Sequence, residues 1–181
     1  MSKAALKKEL ARFDSAQLTQ IILDIYDCNK SAKDYLEFFI NPDVEKLRDR
    51  FDRAVTKELS RSKWGRSKAR ISLIRRLLKD FQSFQPGAEA VSGAMLQIIT
   101  AALAWQHRLD YPQTLADGIA GILEQYVIFC DSHGMLDAAL ERLDSLLGSS
   151  SAAGAPRLRR FLLSRLDAVL ASMGLHRSPS E

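Results

Sequence analysis

Apolar residues recur at helical spacing along nearly the whole chain, and no segment shows the alternating pattern of a β-strand. Residues 68–84 are the clearest case, because their apolar positions lie opposite a polar face. Capping residues and breakers divide the chain into short pieces, at Asp14, Asn41-Pro42, Pro86-Gly87 and Tyr111-Pro112. These patterns predict an all-α fold without a sheet, with about eight or nine helices in a compact bundle or in stacked helical hairpins.

Two glycines lie inside one of these predicted helices, over residues 113–132. Gly118 and Gly121 each cost roughly 1 kcal/mol of helix propensity against alanine. We infer from this cost that a neighbouring helix approaches closely at these positions.

One stretch interrupts the helical composition. Residues 148–156 read GSSSAAGAP, which is small, uncharged and typical of a flexible linker. We therefore predict a helical domain at 1–148, a linker at 149–156, an amphipathic helix at 157–174 and a disordered tail at 175–181. The apolar stripe of the last helix is too strong to stay exposed. Docking onto its own domain is the favoured interpretation, and docking onto a second copy or another protein stays open.

Positive charge is concentrated in one segment. The chain has a net charge of +4, yet residues 61–79 (RSKWGRSKARISLIRRLLK) hold eight Lys or Arg residues and no acidic residue. Residues 80–155 are in contrast strongly acidic, with Arg108 and Arg142 as their only cations. Two interpretations follow. The acidic half packs near the basic segment and neutralises it, or the basic segment presents a local positive field to a partner.

The basic segment is the strongest candidate site. Arginine and lysine neutralise phosphates, and an exposed tryptophan can stack on a base. We predict a loop for residues 61–67. In the alternative interpretation the cations form a solvated helix face and the tryptophan packs at the edge of this loop. A basic amphipathic helix can also lie on an anionic membrane or bind an acidic protein groove. The candidate polyanion-binding residues are Arg61, Lys63, Trp64, Arg66, Lys68, Arg75, Arg76 and Lys79.

Signatures of enzymes and cofactors are missing from the sequence. It contains no Gly-x-Ser-x-Gly, P-loop, dinucleotide-binding or His-Glu-x-x-His motif. Cys130 and His133 have the spacing of half a zinc site, but the remaining cysteine and histidines are isolated along the chain. We therefore predict no catalytic, metal-binding or cofactor-binding residue, no cofactor and no enzymatic activity. A small-molecule substrate is not expected.

The same sequence predicts a cytoplasmic location. Two cysteines do not make a disulfide framework, and the charged N-terminus lacks the apolar core of a signal peptide. No continuous apolar run reaches the roughly 20 residues that span a bilayer. We therefore expect a protein with reduced thiols and no transmembrane segment.

Three segments carry a family resemblance: LKKELARFDSAQLTQIILDIYDCNKSAKDYLEFFINPD at 6–43, KARISLIRRLLKDFQSF at 68–84 and HGMLDAALERL at 133–143. In these the chain resembles an uncharacterised bacterial family of small all-helical proteins, a domain of unknown function, over roughly residues 1–148. The resemblance implies a compact helical domain. It implies no activity, cofactor or site residue.

Two hypotheses about function remain. The favoured one is a non-enzymatic helical interaction module of the bacterial cytosol that contacts another protein or a second copy of itself. The alternative is binding of nucleic acid or another polyanion through residues 61–79. Ion pairs from Arg75 and Arg76 to the carboxylates of residues 110–144 would count against the alternative, which requires these cations to face solvent.

Overall fold

A computed structural model describes residues 1–106, 109–148 and 155–175. In these residues the chain forms nine α-helices and one pair of two-residue strands, so the predicted all-α class and helix number are confirmed. The departure is the strand pair, which replaces part of the predicted loop. The elements are α1 (Lys3–Leu10), α2 (Ser15–Cys28), α3 (Lys30–Ile40), α4 (Val44–Leu59), β1 (Ser62–Lys63), β2 (Arg66–Ser67), α5 (Ile71–Ser83), α6 (Ala88–Gln106), α7 (Gln113–Ser132), α8 (Leu136–Gly148) and α9 (Pro156–Ser172).

The chain divides into two units, residues 1–43 and residues 44–181. The first unit contains α1, α2 and α3. Its best-defined helix start is at Asp14, whose carboxylate accepts from the Gln17 backbone N–H at 2.8 Å, while the Gln17 side chain accepts from the Asp14 N–H at 3.0 Å. This capping box satisfies two backbone donors at the start of α2. Helix α2 packs on α3, yet no residue of this unit is buried.

The second unit is organised around α7, which packs against α5, α6, α8 and α9. Helix α4 lies against α5 and α6, and the rings of Phe51 and Phe81 meet at 5.1 Å between centroids. Since α7 has neighbours on several sides, its buried apolar residues extend beyond one stripe, and Ile128 is its one large apolar residue among those exposed in the described chain. The deeply buried side chains of α7 are Leu115, Ile119, Ala120, Ile122, Leu123, Tyr126, Val127 and Cys130.

Glycine lets α5 approach α7 closely. A Cβ atom on Gly118 would come within 3.0 Å of the Ile71 Cβ and still nearer to the outer carbons of that side chain. A Cβ on Gly121 would lie 3.1 Å from the Arg75 Nη2. The close helix–helix contact inferred from the cost of these two glycines is therefore confirmed.

The last helix packs within its own chain. Helix α9 begins with Pro156 at its first turn and lies against α7 and α6, as the favoured docking interpretation requires. Of the predicted linker, only Ala155 and Pro156 belong to the described residues, and Ala155 is buried. Most of the predicted tail, 176–181, also lies outside them. The buried residues of α9 are Leu158, Leu162, Leu166, Val169 and Leu170.

One helix of the described residues is long and apolar enough to cross a membrane. It is α6, over Ala88–Trp105, and half of that window is buried inside the fold. The same length and composition occur in core helices of soluble proteins. Helix α6 packs against α4, α5, α7 and α9, so these protein contacts account for the buried half of its surface.

Candidate nucleic-acid interface

The basic segment begins with a tight hairpin. Strands β1 and β2 pair antiparallel, with Ser62 opposite Ser67 and Lys63 opposite Arg66. Trp64 and Gly65 form the turn, and both have positive φ, at 55° and 73°. Positive φ at both central positions defines the type I′ turn, whose twist suits a two-residue hairpin. The predicted loop at 61–67 is corrected here, because strands of two residues are too short to show alternation in a sequence.

The hairpin is tied to the rest of its unit through the backbone of Asp110. The Asp110 N–H donates to the Gly65 carbonyl at 2.9 Å, and the Ser67 N–H donates to the Asp110 carbonyl at 2.9 Å. The Lys68 N–H donates to the Arg61 carbonyl at 2.8 Å and closes the base of the hairpin. These bonds satisfy backbone groups that a free loop would leave to water, so the turn has a defined position.

A buried carboxylate holds both ends of the hairpin. Glu58, at the end of α4, is 5% exposed and accepts hydrogen bonds from Arg61 Nη1 at 3.0 Å, Arg70 Nε at 3.0 Å and the Arg70 N–H at 2.8 Å. Burial alone raises the pKa of the Glu58 carboxyl, but the hydrogen bonds from Arg70 and Arg61 outweigh it and hold the pKa below its usual value. The hydrogen bond and the charge of Glu58 in turn raise the pKa of Arg70.

Sequence patterns did not single out Glu58. Its position contained a signal, because it follows Val55 by three residues on the apolar face of α4, alongside Phe51 and Leu47. A carboxylate on a buried face requires a cationic partner, and basic residues follow it closely in the chain. Glu58 therefore makes Arg61 a structural residue rather than a freely available binding residue.

The other predicted site residues face solvent. Lys63, Arg66 and Lys68 are exposed on or beside the hairpin, and Trp64 is 90% exposed at its tip. Arg75, Arg76 and Lys79 are exposed on α5, outside its buried apolar stripe, and the Arg75 guanidinium lies beside Gly121 of α7. Within the described residues none of these six cations makes an ion pair or a side-chain hydrogen bond. We call the set the basic surface: Lys63, Trp64, Arg66, Lys68, Arg75, Arg76 and Lys79.

Carboxylates of the acidic half have other partners. Asp110 lies 4.0 Å from Arg157 and Glu124 lies 3.6 Å from Arg165, so α9 supplies both cations. In the described part of the chain no ion pair joins Arg75 or Arg76 to a carboxylate of residues 110–144. Neutralisation of the basic segment by the acidic half, one of the two interpretations of the charge pattern, is therefore not seen at the basic surface within the described residues.

The Cys130 and His133 pair is arranged differently from a metal site. Cys130 is buried, and burial raises the pKa of its thiol. The His133 Nδ1 instead lies 2.8 Å from the Phe129 carbonyl oxygen and 3.0 Å from the Ser132 Oγ, at the exposed end of α7. Over the ranges that the structure describes, no three histidine, cysteine or acidic residues are grouped as metal ligands are.

Comparison with known proteins gives one result. Residues 1–152 match the family described as "Family of unknown function (DUF6155)". The chain belongs to this family. No curated protein and no solved structure matches the chain. The matched region of this DUF6155 member contains the hairpin and α5 but ends before α9, so the basic surface lies inside the family's region.

A second unusual surface lies in residues 1–43. The unit has no buried residue, and large apolar side chains are exposed on α2 and α3. Phe39 and Ile40 at the end of α3 are the most exposed of these, at 70% and 80%. A 43-residue unit without a buried core does not bury enough surface to be stable alone. The remaining exposed apolar side chains of α2 and α3 are Ile22, Leu23, Ile25 and Tyr35.

Proposed function

We propose that this DUF6155 member binds nucleic acid through the basic surface. The proposal rests on one observation: the six cations of this surface are exposed and have no ion-pair partner among the described residues. Arg61 and Arg70, in contrast, form ion pairs with Glu58. A face that served only solubility would mix charges of both signs. Several unneutralised cations instead create a field that attracts polyanions.

Phosphate binding explains this arrangement in physical terms. Each cation that neutralises a phosphate releases condensed counterions, so affinity falls as salt rises. The guanidinium groups of Arg75 and Arg76 match the geometry of phosphate oxygens and can bind them in a bidentate manner. Lys79 follows Arg75 by four residues and Arg76 by three on the exposed face of α5, which gives a short row of contacts along a phosphate backbone.

The test is binding to labelled single-stranded and double-stranded oligonucleotides, measured by fluorescence anisotropy over a series of salt concentrations. The variant R75Q/R76Q/K79Q removes three charges while it keeps most of each side-chain stem. The control K46Q/R53Q/K57Q removes three charges from exposed positions of α4, outside both surfaces that we propose for binding. We expect the α5 variant to lower affinity about 10- to 100-fold and the control to change it little.

The salt dependence makes this test quantitative. The slope of log K against log salt falls by about 0.7 for each lost phosphate contact on a single strand, so the α5 variant should lose about 2 from its slope. Equal losses in the α5 variant and the α4 control would show that net charge alone determines the affinity for the oligonucleotide. An absence of salt-dependent binding in the native protein would overturn the proposal.

We also propose that the protein self-associates through residues 1–43. This is a specific form of the hypothesis that the chain is a protein-interaction module. The observation that favours it is the coreless unit with Phe39 and Ile40 exposed. The charges of this unit favour a second copy as the partner, because two of its parts are complementary. Residues 1–12 carry a net charge of +3, whereas residues 14–43 carry a net charge of −4. In an isologous dimer, two copies can pair each basic α1 with the partner's acidic α2 and α3.

Sedimentation analysis of the whole protein tests self-association. The variant F39S/I40S removes the two most exposed apolar side chains of α2 and α3 and should convert a dimer into a monomer. The variant I128S is the control, because Ile128 is an exposed apolar residue of α7 in the second unit. A native protein that sediments as a monomer at micromolar concentration would contradict this second proposal.

A further inference from the structure

Trp64 occupies a position that neither packing nor turn chemistry explains. It is 90% exposed, so it contributes nothing to a core, and among the exposed large apolar residues of the described chain only Met1 exceeds it. Its φ of 55° lies in the left-handed region, where residues with large side chains are disfavoured. Asparagine or glycine is the usual first residue of a type I′ turn. A tryptophan here exposes its ring at an energetic cost to the fold.

The positions of the two cations next to Trp64 also destabilise the hairpin. Lys63 and Arg66 stand directly opposite each other in the strand pair, on either side of the turn. Like charges at opposed positions repel and weaken a hairpin. Neither side chain has an ion-pair partner in the described ranges. An anion held between or beside them would relieve the repulsion, so the hairpin tip combines an aromatic face with a site for phosphate.

The hairpin is held firmly enough to present this tip in one place. Backbone bonds to Asp110 fix one side of it, and Glu58 binds Arg61 before the hairpin and Arg70 after it. A ligand that stacks on Trp64 therefore does not have to order a free loop first. Preorganisation of this kind lowers the entropic cost of binding.

We propose that the hairpin of residues 62–67 is a stacking platform for single-stranded nucleic acid. Trp64 stacks on one unpaired base, and Lys63 and Arg66 bind the phosphates on either side of that base. Bases in a duplex have no free face for the ring, so single strands are preferred. This inference rests on the proposed function. It specifies that the nucleic acid bound by the basic surface is single-stranded, and it assigns base stacking to the tip of the hairpin.

An anionic membrane is the competing ligand for a tip of this kind, since tryptophan also favours the lipid interface. The hairpin offers a single apolar side chain, however, and its other residues are Ser62, Lys63, Gly65, Arg66 and Ser67. Stable membrane attachment requires more buried apolar surface than one side chain supplies, even with basic neighbours. The composition of the tip therefore favours a base over a bilayer.

The experiment compares ligands with and without exposed bases. The full-length protein is titrated with a 12-nucleotide single strand of DNA or RNA, with the matching duplex, and with heparin, which is a polyanion without bases. Trp64→Ala removes the ring and leaves every cation in place. Because the chain has only two tryptophans, any emission change that is present in the native protein and lost in Trp64→Phe is assigned to Trp64 rather than Trp105.

We expect single strands to bind at least 10-fold more tightly than the duplex and to quench the emission of Trp64. Trp64→Ala should weaken single-strand binding by about 5- to 150-fold, the range for loss of one stacked base, and should leave heparin affinity unchanged. Trp64→Phe should retain part of the preference, because phenylalanine also stacks.

Other outcomes distinguish failure of this inference from failure of the proposed function. Equal affinity for single strand and duplex, unchanged in Trp64→Ala but reduced in R75Q/R76Q/K79Q, would overturn the stacking role and leave the proposed function standing. No binding to any oligonucleotide would overturn both. A blue shift of Trp64 emission with vesicles of phosphatidylcholine and phosphatidylserine, without oligonucleotide binding, would overturn both in favour of a membrane surface.

Discussion

Two arginine-rich amphipathic segments in this chain, residues 61–79 and helix α9, use their cations in opposite ways. In α9, Arg157 and Arg165 approach carboxylates of the acidic half, and the Arg159 Nε donates to the Leu147 carbonyl at 2.6 Å. In the basic segment, Arg61 and Arg70 share Glu58, and no other cation of the segment has an ion-pair partner among the residues described. The comparison shows that similar charge patterns can complete a fold or remain available to a ligand.

The difference depends on which face meets the rest of the unit. Both helices bury an apolar stripe, which is Ile74, Leu78 and Phe81 in α5 and mainly leucines in α9. Helix α9 lies beside an acidic residue of α7, whereas the cations of α5 are exposed outside its stripe and meet no carboxylate among the described residues. A stripe determines how a helix packs, but the neighbours at its edges decide whether its charges are neutralised.

The largest expected effect tests whether α9 belongs to the fold. Leu162 is completely buried within the second unit, so L162A should lower the free energy of unfolding by about 3 kcal/mol. Urea denaturation followed by circular dichroism measures this change. I128A is the control, because Ile128 is exposed and should change stability by less than about 0.5 kcal/mol. Equal stability of L162A and the native protein would mean that α9 does not dock in solution.

The next largest effect on stability is expected for Glu58, whose carboxylate pairs with two cations of the basic segment and leaves the others exposed. E58Q keeps the shape of the side chain but loses its charge, so the hydrogen bonds from Arg61 and Arg70 weaken. We expect a loss of about 2 kcal/mol in the free energy of unfolding, which is typical of hydrogen bonds to charged groups. By contrast, R76Q on the exposed face of α5 should change it by less than about 0.5 kcal/mol. Equal effects of the two variants would remove the distinction between the two kinds of cation.

The pH dependence of stability follows from the lowered pKa of Glu58. A carboxyl whose pKa is lower in the folded state binds fewer protons there than in the unfolded state. Its contribution is therefore complete well above the ordinary value of 4.5 and is lost as pH falls through the folded pKa. Urea titrations at several acidic pH values should show a smaller loss of stability in E58Q than in the native protein. Parallel curves would contradict the role given to Glu58.

Several features of the fold could be predicted from the sequence because they depend on local patterns. The helix periodicity predicted the class, Asp14 marked the start of α2, and the cost of Gly118 indicated a close contact. Each of these signals lies within a few residues of the position whose structure it predicts, although the cost of Gly118 did not indicate that its partner is Ile71. Local chemistry therefore accounts for most of the helices and for where they begin and end.

Features that depend on partners distant in sequence could not be predicted. The hairpin is fixed by the bond from the Ser67 N–H to the Asp110 carbonyl, between residues far apart in the chain. No local pattern at the hairpin indicates that partner, because the pairing depends on where the fold places the residues before α7. The same reason applies to the exposed state of Arg75, which depends on where α7 and α9 place their charges.

The two close glycines of α7 offer a matched pair with a smaller effect. In G118A the new methyl group would meet the Ile71 side chain, so we expect a net loss of about 1–2 kcal/mol in the free energy of unfolding. In G121A it would meet only the end of the exposed Arg75, which can move. That variant should be neutral or more stable by up to about 1 kcal/mol, from helix propensity. Thermal unfolding of both variants measures the difference, and equal losses would mean that Arg75 is held as firmly as Ile71.

The smallest expected change in stability tests whether Trp64 has a structural role or a ligand-binding role. W64N replaces an exposed ring in a left-handed conformation by the residue that type I′ turns favour before glycine, so stability should rise by roughly 0.5–1 kcal/mol. Urea denaturation measures the gain, and single-strand binding should fall in the same variant. A residue that lowers stability where it stands and raises affinity for a ligand fits a binding role. If W64N instead loses more than about 1 kcal/mol, the ring packs against the protein in solution, and Trp64 belongs with Arg61 among the structural residues of the segment.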